Sequence, residues 1–142
     1  AVSYKIHRIK LSTDHSQLFY FKEEGFPGAG ERNKLGENGR PAWRNTTAVA
    51  YTIDDHQEAS LAALTTAGQG KSVEGDGDLP NYTEYDASYS YKAKKAGTFS
   101  LEIRNLLGTT PPLDDSSPHS ELNSSIYDQI GRQYIAGYKI SF

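Results

Sequence analysis

Residues 84–93 read EYDASYSYKA, and every second residue of this stretch is tyrosine or alanine. The residues between them are charged or serine. Successive side chains of a β-strand point to opposite faces, so this alternation predicts a strand with one apolar and one polar face. Residues 99–104 and 134–142 repeat the alternation, which predicts further half-buried antiparallel strands in the second half of the chain.

Weaker versions of the same pattern extend toward the N-terminus. Residues 2–11 predict a strand with a bulge near His7, where the alternation slips by one residue. Residues 18–22 predict a second strand, and residues 43–53 predict a third. Residues 23–40 are rich in glycine and proline, lack any periodicity and predict a long loop.

Two segments predict short helices. Asp55 and Glu58 have the spacing of a capping box, alanine and leucine follow them, and Gly68 would end the helix. Residues 117–131 open with Ser-Pro and space Leu122, Ile126 and Ile130 four residues apart. The predicted fold is a mainly β protein, an antiparallel β-sandwich in one domain spanning residues 1–142, with one or two short flanking helices.

The composition limits the class of protein. The formal net charge of −3 argues against a duplex nucleic-acid partner, which requires a concentrated basic surface. No stretch approaches the ~20 apolar residues that a membrane span requires. Cysteine and methionine are both absent, which excludes disulfides and thiol chemistry and removes the side chains most prone to oxidation. We therefore expect a soluble protein that is extracellular or exposed at the cell surface.

No catalytic motif with a known mechanism is present in the sequence. There is no G-x-S-x-G elbow, no H-E-x-x-H pair and no glycine-rich phosphate loop placed between a strand and a helix. We therefore expect no enzymatic activity and no catalytic residues.

An acidic loop is the one candidate metal site. Glu74, Asp76 and Asp78 alternate with glycine, so their carboxylates could converge on a hard cation such as calcium. The spacing does not match an EF-hand loop. The alternative is a flexible acidic turn that binds nothing, and we expect no other cofactor.

The candidate ligand-binding residues surround the only tryptophan. Trp43 would stack on the apolar face of a sugar ring, with Arg44, Tyr82 and Tyr85 as polar and aromatic neighbours. The alternative places Trp43 in the core, because large aromatic residues are buried on average.

These observations favour a non-enzymatic binding module, lectin-like, with a carbohydrate or cell-surface ligand. The alternative function is a self-assembling extracellular structural or filament subunit. It would use the strands at its termini to pair with neighbouring subunits. For either function we expect a homo-oligomer.

Overall fold

The computed structural model describes residues 1–6, 8–37, 39–73, 76–93, 96–116 and 126–140. These residues contain eleven strands and no helix. The strands are β1 Val2–Ile6, β2 Ile9–Gln17, β3 Lys22–Glu24, β4 Glu31–Asn33, β5 Trp43–Thr52, β6 Gln57–Thr66, β7 Gln69–Gly70, β8 Asp78–Leu79, β9 Tyr82–Ala93, β10 Gly97–Arg104 and β11 Gln133–Lys139.

Seven of the strands form one antiparallel sheet in the order β1-β2-β5-β6-β9-β10-β11. The strands β3 and β4 form a separate hairpin, and β7 pairs with β8. The prediction of a mainly β, antiparallel protein is confirmed. The sandwich is not confirmed, because the chain supplies one large sheet and two small ones rather than two layers of similar size.

The register of the sheet gives it two different faces. Residues opposite each other on neighbouring strands share a face, and the face alternates along each strand. One row across the sheet is formed by Ile9, Tyr51, Ala59, Tyr89, Leu101 and Ala136. The next row on the same side is formed by Tyr4, Leu11, Val49, Leu61, Ala87, Ile103 and Tyr134. We call this side the apolar face and the opposite side the polar face.

The helix predicted to begin at Asp55 is wrong, because Gln57–Thr66 is the central strand β6. It pairs along most of its length with β5 and along its whole length with β9. Asp54 shapes the turn before it, since its carboxylate accepts hydrogen bonds from the His56 backbone at 2.7 Å and the Gln57 side chain at 2.7 Å. These contacts close a hairpin between β5 and β6.

Three other predicted elements also differ from the structure. The slip near His7 separates two paired strands, β1 and β2, so it marks a hairpin turn instead of a bulge; His7 itself lies outside the described residues. The strand predicted at residues 18–22 is wrong, because β2 ends at Gln17 and β3 begins at Lys22. For the helix predicted at 117–131, residues 117–125 lie outside the description and residues 126–131 are not helical.

A small core lies at one end of the sheet. Among the described residues, its buried apolar side chains include Ala67, Leu79, Tyr82 and Tyr127. The rings of Tyr82 and Tyr127 meet edge to face with centroids 5.3 Å apart, and the buried Gln69 amide donates to the Tyr127 hydroxyl at 3.1 Å. Because Tyr82 belongs to the polar face of β9, this core lies on the polar side of the sheet.

Asn105 turns the chain from β10 into this core. It has a positive φ of 49°, a conformation that asparagine tolerates better than most residues. Its side chain accepts from the Thr109 backbone N–H and donates to the Thr109 carbonyl, both at 2.8 Å. Its own N–H donates to the Asp86 carboxylate at 2.9 Å, which ties the turn to β9.

Asp114 is a buried carboxylate that holds the same connection against the loop after β7. It accepts hydrogen bonds from the Ser72 backbone at 2.6 Å and from the Ser116 hydroxyl at 2.6 Å. Burial by itself raises the pKa of Asp114, but the hydrogen bonds from Ser116 and Ser72 outweigh burial and hold the pKa well below its usual range. The ionised form of Asp114 therefore stabilises the folded state.

We predict that Asp114→Asn reduces acid sensitivity as well as stability. Folding lowers the pKa of this carboxyl group, so its ionised form stabilises the folded protein fully at pH values above the pKa of the unfolded state, about 3.9. This contribution is lost as the pH falls from there toward the lower pKa of the folded state. At pH 7 the variant should lose about 2 kcal/mol of unfolding free energy.

Urea unfolding between pH 2 and pH 7 measures both effects. The difference between the unmodified protein and Asp114→Asn should shrink below pH 4. Asp55→Asn, which removes an exposed carboxylate of the same charge, is the control and should change little. A difference that stays constant with pH would contradict the role of the ionised carboxylate.

Candidate interaction surface

The apolar face is free of full charges across the described strand residues of the large sheet. Besides the two rows already given, it carries Val2, Thr13, His15, Gln17, Trp43, Asn45, Thr47, Gln57, Ala63, Thr65, Thr83, Tyr85, Tyr91, Phe99 and Tyr138. The charged side chains project from the polar face: Lys10, Asp14, Arg44, Glu58, Glu84, Asp86, Lys92, Glu102, Arg104 and Lys139. The charged side chains therefore share one face, and most of the large apolar side chains of the sheet lie on the other.

The apolar face is also exposed. Leu61 lies on the central strand of the sheet and is 43% exposed, while Leu101 near the edge is 48% exposed. A leucine at the middle of a sheet is shielded on both sides by neighbouring strands, so this exposure means that no other described part of the chain covers the face. Contiguous apolar patches of this kind are rare on monomeric proteins and mark interaction sites.

The total surface leads to the same conclusion. The chain exposes 9944 Å² of accessible surface. A folded monomer of 15.7 kDa is expected to expose about 7,300 Å². The exposed surface is therefore roughly 2,600 Å² larger than expected, and the apolar face is one of the exposed parts that contribute to it.

Several hydroxyl and amide groups on the apolar face form hydrogen bonds with one another. The Tyr89 hydroxyl donates to the Gln57 side chain at 2.5 Å, and the hydroxyls of Thr65 and Thr83 are 3.0 Å apart. Phe99 and Tyr138 stack with ring centroids 4.5 Å apart. These contacts reduce the cost of removing the polar atoms from water when the face is covered.

The four predicted ligand-binding residues do not converge on one side of the sheet. Trp43 and Tyr85 belong to the apolar face, whereas Arg44 and Tyr82 belong to the polar face. Tyr82 is only 8% exposed, so its ring packs in the small core. Trp43 is half-buried and stacks on His15 with centroids 6.0 Å apart. The assignment of these residues to a ligand stays a prediction.

A cleft of about 360 Å³ lies beside Trp43, at the start of β5. Leu18, Phe21 and Arg40 line it together with Trp43 and Arg44. The Arg40 guanidinium lies 4.9 Å from the centre of the Phe21 ring and 2.9 Å from the Glu23 carboxylate. Phe21 was not predicted as a site residue, because it lies in residues 18–22, which were predicted as a strand; Arg40 ends the glycine-rich segment 23–40 that precedes Trp43.

A second cleft, of about 310 Å³, lies on the polar face. Arg44, Tyr82, Glu84, Tyr127 and Asp128 are among its lining residues. Burial raises the pKa of Glu84, and the hydrogen bond that the Tyr82 hydroxyl donates at 3.1 Å offsets only part of that rise. Acidic and basic groups are mixed in this cleft, so it has no single electrostatic preference.

The predicted calcium site is only partly described. Glu74 lies outside the described residues, while Asp76 is exposed and Asp78 borders a broad cleft near Lys71. Among the residues that are described, no group of three or more histidine, aspartate or glutamate side chains is placed to hold a metal ion. The calcium site stays a prediction.

Comparison of the chain with protein-family models, with curated proteins and with solved structures found no match. No helix among the described residues is long and apolar enough to cross a membrane.

The positions of the tyrosines predict different costs of truncation. Tyr82→Ala should lower the free energy of unfolding by about 4 kcal/mol, because it removes a buried ring from a small core. Tyr20→Ala removes a largely exposed ring and should change stability by no more than about 0.5 kcal/mol. Urea unfolding of both variants measures the difference, and equal costs would contradict the assignment of Tyr82 to the core.

Proposed function

We propose that this protein is a self-assembling structural subunit whose copies associate through their apolar faces. One observation carries the proposal: the apolar face has no full charge across the described strands, and it is open at its centre around Leu61. An exposed face of this composition is unfavourable in water and is stabilised when another apolar layer covers it.

A second copy is the partner that best fits this face. A sheet with one apolar face is stable as one layer of a two-layer structure, and two such sheets pack about 10 Å apart. Two apolar faces related by a two-fold axis are identical in composition, so neither places an unpaired charge against the other. The two-layer arrangement expected of a β-sandwich would then form between two chains.

The size and composition of the surface support a permanent contact. The face spans all seven strands of the large sheet, and obligate assemblies bury large apolar interfaces. Aromatic residues are enriched at the cores of protein interfaces. This face carries the aromatic residues Tyr51, Tyr89, Tyr91 and Phe99. We expect the assembly to persist at high salt, because no ion pair is needed across the contact.

Leu101→Lys tests the contact against a neighbouring control. Leu101 lies on the apolar face and the adjacent Ser100 on the polar face of the same strand, and both are exposed. Lysine at position 101 would bury an unpaired charge in the contact, so association should weaken by about a hundredfold, equivalent to ~2.7 kcal/mol. Ser100→Lys changes the net charge equally and should leave association unchanged.

Sedimentation velocity over a range of protein concentrations measures both variants. Circular dichroism at the same concentrations verifies that each variant retains its strands. If Leu101→Lys and Ser100→Lys sediment like the unmodified protein, the apolar face is not the contact. If the unmodified protein is a monomer at every concentration, self-assembly itself is contradicted.

Carbohydrate binding is a second candidate function, favoured by the cleft that combines Trp43 with Arg40 and Arg44. A sugar would stack on the part of the Trp43 ring that His15 leaves open, with the guanidinium groups near its hydroxyls. Trp43→Leu should then weaken glycan-array binding by about tenfold, or ~1.4 kcal/mol. Tyr20→Leu, which changes an exposed aromatic residue outside the cleft, is the control. Equal array signals from the two variants would contradict this role of Trp43.

A further inference from the structure

The large sheet ends at β11 with an open edge. In the described part of the chain, β10 pairs with one side of β11 and no strand pairs with the other. An open edge presents unpaired backbone N–H and C=O groups, to which another strand can add.

The sequence of β11 lacks the features that usually prevent such pairing. Natural edges are protected by proline, by charged residues or by bulges. The strand reads QYIAGYK, and its only charged residue is Lys139 at the end. Tyr134 is 68% exposed, and the tyrosine at position 138 is also exposed. Among the described residues, no strand pairs with the outer side of β11, and its tyrosine side chains are exposed.

The topology of the sheet indicates which pairing fits. Neighbouring strands are antiparallel throughout the seven-stranded sheet, so the two outermost strands, β1 and β11, run in the same direction. A neighbour placed by translation would add its β1 to β11 as a parallel pair, unlike every other pair in the sheet. A two-fold axis perpendicular to the sheet would instead bring β11 against β11 of a second copy in the antiparallel sense.

We infer that β11 pairs antiparallel with β11 of a second copy, with Ala136 opposite Ala136 of that copy. In this register Tyr134 lies opposite the second copy's Tyr138, which forms two aromatic cross-strand pairs on the apolar face. Ile135 lies opposite the second copy's Gly137 on the polar face. Lys139 lies opposite Gln133, so the two ammonium groups stand at opposite ends of the pair instead of facing each other.

This pairing also extends the surface described above. A two-fold axis perpendicular to the sheet leaves both apolar faces on the same side, so the two sheets become one wider sheet. The inference rests on the proposed self-assembly, but it uses the edge of the sheet, whereas the proposed function uses the face. The two contacts can therefore be tested separately.

Paired cysteines at positions 133 and 139 test the edge contact. The chain contains no cysteine, and both positions project from the polar face, away from the face contact. The double variant carries both Gln133→Cys and Lys139→Cys in one chain. In the inferred register, the thiol at position 133 lies opposite the thiol at position 139 of the second copy, and the reverse pair lies at the other end of the strand. Directly opposed residues have Cα atoms about 4.5–5.5 Å apart, which is within disulfide range. Within one chain the two positions are about 20 Å apart and cannot be joined.

The double variant should form a covalent dimer on mild oxidation, seen by non-reducing electrophoresis. The single variants Gln133→Cys and Lys139→Cys are matched controls and should not form a cross-link. In each of them the only other thiol is at the same position of the second copy, about 20 Å away along the paired strands. Cross-linking in dilute protein excludes dimers formed by random collision. A cross-link in the double variant alone supports the inferred register.

Three results separate the edge contact from the face contact. A double variant that sediments as an assembly without cross-linking overturns the edge pairing and leaves the proposed function in place. Equal cross-linking of single and double variants also overturns it. A specific cross-link that forms while Leu101→Lys and Ser100→Lys both sediment like the unmodified protein supports the edge pairing and overturns the face contact.

Discussion

The apolar face of the large sheet is not covered by any other described part of the chain. The connections outside the main sheet build the small core around Tyr82 and Tyr127 at one end of its polar side. Main-chain pairing holds the seven strands together, but a sheet gains most of its stability when an apolar face is buried. Stability of this fold is therefore tied to what covers Leu61 and its neighbours.

The strands with strict alternation were predictable from the sequence, and the central strand was not. In β9, β10 and β11 the apolar residues recur at every second position, so only a strand segregates them. In β6 the residues Ala59, Leu61, Ala62, Ala63 and Leu64 are strong helix formers and fit a helical period almost as well. Long-range pairing with β5 and β9 overrides that local preference, and a single segment carries no information about its partners.

For the candidate ligand residues, the sequence predicts which face of the sheet each residue lies on but not which of them are buried. Trp43 and Arg44 are adjacent on a strand, so they project from opposite faces, and this much follows from the strand assignment alone. Tyr82 and Tyr85 differ by an odd number of residues and separate for the same reason. The burial of Tyr82 was not predictable from the sequence. The connection after β10 turns back at Asn105 and Thr109 and covers Tyr82, and no local sequence pattern indicates this turn.

The two proposed contacts have consequences for the form of the assembly. Each is isologous, so alone it would stop at a dimer. The axis of the edge contact is perpendicular to the sheet, whereas the axis of a face-to-face contact lies parallel to it. If the two axes intersect, the contacts close into a tetramer of two stacked wide sheets; if they do not, each new copy exposes another free edge or face and the assembly continues as a filament. The offset between the stacked faces, set by how the Tyr89, Leu101 and Tyr138 side chains interdigitate, would select between these two outcomes.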